Sequence, residues 1–454
     1  MKRNYWGLGL LGLLALGFWQ CGGNRETTVA KVYTSPQDAR LVHHTMAQIT
    51  DVIVYDVFSP PVASRIYAYT SLAMYECLRH AHAGAPPLAE KLNGFGPMPA
   101  PPTGPLDHAA AAVKAAVTVA DKVTFSKDSL FAFEKKVYQE LAALGVPDSV
   151  IARSQAFGEA VGKVVLARAA QDNYQQTRGM PRFTVVKKPG LWVPTSPDYA
   201  DAAEPHWAKM LPLALDSASH CQPPRPMPFS ADKKSAFYQQ VLEVYELKAK
   251  LTKDQEEIAY FWDDNPAVSE HKGHSMVLAK KMTPAGHWMA IAGLVAQQQG
   301  HGQLATAQAY ALTAVALYDG FISCWDEKYR SVLVRPITVI NEWLDPKWEP
   351  FLQTPAFPEY SSGHGVISAS SATVLTALLG DQVAFRDTTE VPYGRPVRQF
   401  GSFGQAAAEA SLSRVYGGIH YRFTSTASTA QGEQVGQRIL ARLGPAAQLA
   451  KGAR

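Results

Sequence analysis

Three short stretches of this chain hold side chains suited to gripping a tetrahedral oxyanion. They are Lys328 to Pro336 (KYRSVLVRP), Ser362-Gly363-His364, and Ser413 to His420 (SRVYGGIH). Arg335 and Arg414 offer planar forks of donors to oxyanion oxygens, and Lys328 adds a compact positive charge. The Ser362 hydroxyl and the bare Gly363 N–H complete a cradle of the kind that phosphate or vanadate requires. The imidazoles of His364 and His420 can divide the work of ligand or nucleophile and of acid–base partner.

Helices must carry these groups. Trp325, Lys328 and Arg335 are spaced by three and seven residues, which predicts one helical face, with Pro336 ending or kinking the helix just after Arg335. Ser362-Gly363-His364 precedes an apolar run from Val366 to Leu379, so it is predicted at a helix N-terminus, where free N–H groups and the dipole favour an anion. A helix over Phe403 to Tyr416 is broken by Gly417-Gly418, which returns His420 toward Arg414. A last helix is expected from about Ser425 to Leu443.

The motifs and their order resemble those of the vanadium-dependent haloperoxidases and type 2 phosphatidic acid phosphatases. That superfamily's pattern is Lys, six residues, Arg-Pro; then Ser-Gly-His; then Ser-Arg, five residues, His. Lys328, Arg335-Pro336, Ser362-Gly363-His364, Ser413-Arg414 and His420 match it with both internal spacings kept. The fragment Gly190 to Pro197 (GLWVPTSP) is similar to a stretch found before the catalytic half of bacterial members.

The resemblance implies an all-α fold of two packed helical bundles with the oxyanion site in the C-terminal one. It implies vanadate as cofactor, with His420 on the metal and Lys328, Arg335, Ser362, Gly363 and Arg414 on its oxygens. His364 is the implied acid–base catalyst, and Lys328 the residue that polarises bound peroxide for attack by halide. Hydrogen peroxide and a halide are the expected substrates, iodide first as the easiest to oxidise and bromide next, with a small organic acceptor also possible. The same scaffold supports an acid phosphatase in which His420 becomes a phosphohistidine and His364 protonates the leaving alcohol.

Two positions depart from the pattern. Thr424 stands where members usually carry Asp four residues after the last His, so any acceptor for the second nitrogen of His420 must come from elsewhere. The missing Asp also motivates a third reading, a surface binding lipoprotein without catalysis. Ser361 replaces the common Pro and is either a hydroxyl lining a halide pocket or part of a turn. Trp325, one turn before Lys328, is either an apolar wall for halide or a core aromatic.

The rest of the chain sets bounds. With 47% hydrophobic and 18% charged residues, a large globular core is expected, and a formal charge of +4 without basic runs argues against nucleic acid as a partner. Lys2 and Arg3 precede an apolar run from Trp6 to Phe18 and then Cys21, which reads as an export leader with lipidation at Cys21. Membrane contact is then expected through the lipid alone, at the periplasmic face, outer membrane or cell surface. Cys77, Cys221 and Cys324 lack metal or redox spacing, and Cys324 reads as a packed thiol.

The expected organisation is a leader over 1–21, a tether over 22–37, an N-terminal helical bundle over 38–220 and a catalytic bundle over 221–454. The first bundle includes a Pro- and aromatic-rich irregular segment at 177–205 that must drape over helices. The paired carboxylates Asp263-Asp264 read as a cap or ion pair, with the aromatics before them as candidate entrance walls. His271, His274 and His287 read as ordinary polar or packed histidines.

Overall fold

Alanine-rich stretches with apolar residues every three to four positions form amphipathic helices, and they build most of the regular structure of this molecule. The computed structural model describes residues 35–448 except 83, 267, 273 and 279. The leader, Cys21 and most of the tether lie outside the described residues.

Six helices form the first half: α1 (Arg40–Tyr55), α2 (Pro60–Leu78), α3 (His108–Val123), α4 (Asp128–Ala143), α5 (Asp148–Ala169) and the short α6 (Tyr174–Arg178). The second half holds α7 (Ala236–Lys250), α8 (Lys253–Phe261), α9 (Pro284–Gln298), α10 (Gln303–Ser331), α11 (Pro336–Trp343), α12 (Gly363–Leu379), α13 (Phe403–Tyr416) and α14 (Arg422–Leu443). Two small antiparallel hairpins interrupt it, β1 (Ser269–Lys272) with β2 (Ser275–Leu278) and β3 (Phe385–Asp387) with β4 (Arg398–Phe400). The described residues are all-α apart from these hairpins, which are too short to show an alternating pattern in sequence. Helix α4 buries a single face, Leu130, Glu134, Val137, Tyr138 and Leu141, at helical spacing.

Side-chain caps set several helix starts. Asp107 accepts from the N–H groups of Ala109 and Ala110 to open α3, and Thr252 and Gln255 form a reciprocal capping box on α8. Ser362 caps α12 by accepting from Gly365 N–H.

One hydrophobic cluster runs from Leu41 to Ala447 through both halves. Its axis is α10, buried along nearly its whole length, which packs on α2 on one side and on α12 on the other. No helix among the described residues is long and apolar enough to cross a membrane.

The irregular segment is structured by pairing with the catalytic half. Leu191 bridges Leu333, Trp192 N–H donates to Val332 O at 2.8 Å, and Val334 N–H donates to Gly190 O at 3.0 Å. Its Trp192 is fully buried.

Helix α14 lies close against α12 because Gly432 has no side chain. A Cβ there would sit 2.2 Å from the Val366 carbonyl oxygen and 2.8 Å from Ala369 Cβ. Since both neighbours belong to a packed helix, Gly432→Ala should force the pair apart and cost about 1–3 kcal/mol of stability. Urea unfolding measures this, and an unchanged midpoint would contradict the packing described.

Candidate active site

Lys328 lies in the last turn of α10, but Arg335 does not share its helix as the spacing predicted. The helix stops at Ser331, with Val332 in the left-handed region at φ 50°. Pro336 is the reason. A residue before proline is pushed out of the helical region, so Arg335 is extended (ψ 151°) and becomes the cap of a new helix, α11, with Pro336 at its first position. Arg335 thus reaches the site from a strand-like segment, held by the pairing with Gly190 to Trp192.

All three cations are buried and rest on backbone carbonyls. Lys328 Nζ donates to Pro358 O at 2.9 Å and Glu359 O at 3.2 Å. Arg335 donates through Nε to Phe357 O at 2.9 Å and through Nη1 to Ile419 O at 2.7 Å. Arg414 Nη1 donates to Trp262 O at 2.7 Å. Three polar nitrogens here remain buried without a hydrogen-bond partner: Arg335 Nη2, Arg414 Nε and His364 Nε2. Buried donors of this kind cost free energy unless something meets them. A multiply charged oxyanion is the chemical species that fits two guanidinium groups and an ammonium at once.

Electrostatics tell the same story. Burial lowers Lys328 to about 7, and Arg335 to about 10. His420 is held well below the usual histidine value, first by burial and then by the charges of Arg335, Lys328 and Arg414. His364 is also held low by burial and by Arg414, against a hydrogen bond to the Trp262 backbone that favours its charged form. Both imidazoles are therefore neutral at pH 7.

Glu359 supplies what Thr424 withholds. His420 Nδ1 lies 2.8 Å from Glu359 Oε1, which also accepts Tyr421 N–H at 3.1 Å, while Oε2 accepts the Thr424 hydroxyl at 2.8 Å. Because Arg335 Nη1 can only donate, its 3.2 Å approach to His420 Nε2 assigns the lone pair to Nε2 and the proton to Nδ1. The carboxylate thus fixes a tautomer whose Nε2 carries the lone pair, which a ligand or an electrophile would take over from Arg335. Burial raises Glu359 to about 7, while Arg335 and the hydrogen bonds from Thr424 and Tyr421 favour its anion. Sequence reading missed Glu359. The only available signal was an acidic residue three positions before Ser362 in a Pro-rich loop.

A cavity of about 370 Å³ opens against this cradle. Gly363, His364, Arg414 and His420 line it, together with Trp325, Phe321, Phe357 and Ile419. Lys328, Arg335 and Ser362 are fully buried and do not form its wall. Trp325 takes the wall position and also packs 5.1 Å from the Phe357 ring. Ser361 does not reach the cavity: its hydroxyl donates to Gln431 at 2.7 Å in the packed interior, so the halide-pocket expectation is corrected. Phe261 and Trp262 are core residues rather than entrance walls, and Tyr260 packs at a tilt against Phe351 outside the cavity. Cys77, Cys221 and Cys324 are free and buried, and burial pushes the Cys324 thiol up.

Residues 341–447 match the family model of the second helical-bundle domain of vanadium chloroperoxidase (VCPO). The crystal structure of a bacterial vanadium-dependent iodoperoxidase aligns over 89% of this chain and 96% of its own, with 42% identity and a TM-score of 0.84. This chain belongs to the vanadium-dependent haloperoxidases. Holo and apo structures of a bacterial vanadium-dependent chloroperoxidase share the fold at 17% identity, each with a TM-score of 0.65 over 86% of this chain. No curated protein is significantly similar to it.

For a haloperoxidase site, Glu359→Ala should weaken equilibrium vanadate binding roughly 10–100-fold, by releasing the His420 ring. Adding Thr424→Asp to that variant should restore most of the affinity, since it returns a carboxylate to the vacated space. Thr424→Asp alone should destabilise the protein by setting two buried carboxylates side by side. Titration of the apoprotein with vanadate and thermal melting read both effects; a double variant as weak as the single one would refute the exchange.

Proposed function

We propose that this protein uses vanadate to oxidise halide with hydrogen peroxide, with iodide preferred over bromide. The observation that carries this reading is the pair of unmet guanidinium donors on Arg335 and Arg414, buried with Lys328 beside the Glu359-oriented His420. The likeness to an iodoperoxidase at 42% identity supports the choice of halide.

Vanadate, when bound, supplies a Lewis-acidic centre that activates peroxide without changing oxidation state. His420 Nε2 would be its protein ligand, and Lys328, Arg335, Arg414, Ser362 and the Gly363 N–H would hold its oxygens. The three cations would balance the charge of the oxyanion. His364, neutral and with Nε2 unpartnered beside the cavity, accepts a proton from incoming peroxide and returns it to the leaving oxygen. Lys328 Nζ sits 4.8 Å from the Phe357 ring centroid and 5.7 Å from that of Trp325, so aromatic faces screen its charge from solvent. The same apolar surfaces favour iodide, the least strongly hydrated of the candidate halides. Overall, peroxide, halide and one proton give hypohalous acid and water.

A phosphatase reading shares the cradle. Glu359 orients His420 as a nucleophile would also require, so a phosphate-ester assay belongs in the same experiment. Glu359 also removes the motive for the non-catalytic reading, which rested on the missing carboxylate. The leader and Cys21 support an exported, lipid-anchored enzyme.

Protein lacking residues 1–21 should show vanadate-dependent oxidation of iodide, slower oxidation of bromide, and a loss of at least about 100-fold in His420→Ala. Phosphate release by vanadate-free protein without halide oxidation would reassign it to phosphoryl transfer.

A further inference from the structure

Beside the oxyanion cradle, with Asp264 on the wall of the same cavity, lies a second buried ionic cluster that the reaction chemistry leaves unused. His287, in the first turn of α9, is fully buried. Its Nδ1 lies 3.0 Å from both Asp264 carboxylate oxygens, and its Nε2 lies 3.0 Å from Asp387 Oδ2 and 2.7 Å from the Thr389 hydroxyl. Asp387 Oδ1 is in turn met by Thr389 N–H at 3.0 Å and by its hydroxyl at 2.7 Å.

Asp264, His287 and Glu390 bring three potential ligand atoms within 4.8 Å of one another. They do not make a metal site in this arrangement. Both ring nitrogens of His287 face carboxylates, so both carry protons and neither has a lone pair to give. The cluster is an imidazolium held between two carboxylates. Burial alone would depress its pKa, but Asp264 and Asp387 hold it well above the usual value.

The clamp has a direct line to the site. Asp264 is in the left-handed region at φ 41°, which Asp adopts more readily than most residues with a Cβ and which an outside contact helps to hold. His287 is that contact. It also stacks on the Trp262 ring, with centroids 4.4 Å apart and planes 16° from parallel. The Trp262 indole is tied to α13 by Nε1–H donating to Glu409 at 3.1 Å. Thus His287 grips both ends of the Trp262–Asp264 turn. The Trp262 carbonyl at its start accepts from Arg414 at 2.7 Å and shares a backbone hydrogen bond with His364.

We propose that His287 is a positioning residue: clamped between Asp264 and Asp387, it fixes the turn whose Trp262 carbonyl aims Arg414 and His364 at the oxyanion. The inference rests on the haloperoxidase reading of the cradle. It assigns one buried ion cluster to two active-site groups, one that binds the anion and one that moves protons. A purely architectural cluster would support folding without being coupled to either.

The test is a double-mutant cycle on vanadate affinity, with apoprotein titrated by ⁵¹V NMR and iodide kinetics and melting recorded alongside. His287→Gln keeps the volume and one donor but loses the second contact and the charge. It should weaken vanadate binding roughly 10–100-fold and lower kcat more than it raises KM for iodide. In an Arg414→Ala background the same change should cost less than about threefold, because the group through which it acts is gone. Asp387→Asn, which loosens the clamp from its far side, should move affinity in the same direction by less, and it carries the test if His287→Gln does not fold. Full additivity of His287→Gln and Arg414→Ala, or a lowered melting point with unchanged affinity, would overturn the proposal. Failure of the unaltered protein to bind vanadate would instead overturn the cradle reading on which it rests.

Discussion

The constraint that organises this molecule is the burial of three like charges in one place. Lys328, Arg335 and Arg414 have left water without a full set of partners, which by itself is strongly unfavourable. Backbone carbonyls from Trp262, Phe357, Pro358, Glu359 and Ile419 meet one side of each cation, and carboxylates stand behind them. These carbonyls come from turns and loops, because helical carbonyls are already engaged by their own ladder. The irregular stretch between α11 and α12 is therefore a requirement of the chemistry. Among its four prolines, Pro355 and Pro358 keep the chain from closing into a helix that would withdraw those acceptors.

Such an arrangement persists only if the scaffold cannot relax around it. The long α10 is buried between α2 and α12, so the end that carries Lys328 has little freedom to swing toward solvent. Arg335 is pinned by the bridge to Leu191, which explains why a Pro-rich segment from the first half is folded against the second. Rigidity here stores the desolvation cost of the cations as affinity for an anion. A looser fold would lower that cost by letting water in, and would bind the anion less tightly.

The sequence disclosed groups whose chemistry depends on neighbours in the chain, and concealed groups whose partners are distant. Ser362 at the start of α12 and Arg414 on α13 were legible because capping and helical periodicity are local. The spacing argument for Arg335 failed because Pro336 acts on the residue before it as well as after. Glu359 was hidden: it meets His420 across 61 positions, through a loop whose path no periodicity reveals. His287 was hidden more deeply, since its carboxylates stand 23 and 100 positions away on opposite sides. Ser361 shows the converse error, where adjacency to a motif suggested a role that the side chain's direction rules out.

The exchange of the expected Asp for Thr424 shows what the site demands of its sequence. What His420 needs is negative charge at Nδ1, and the protein supplies it from the loop before α12 instead of from α14. Thr424 then changes task, from acceptor for His420 to donor that holds Glu359 in place. The relocated carboxylate gains a property that the expected Asp would lack. The same residue accepts Lys328 on its carbonyl, donates its own N–H to Leu333 O at 3.0 Å beside Arg335, and fixes the His420 ring with its side chain. A displacement of this loop would shift Lys328 and the His420 ring together rather than one at a time. Glu359 therefore ties the placement of a buried cation to the orientation of His420, so each is as well defined as the other.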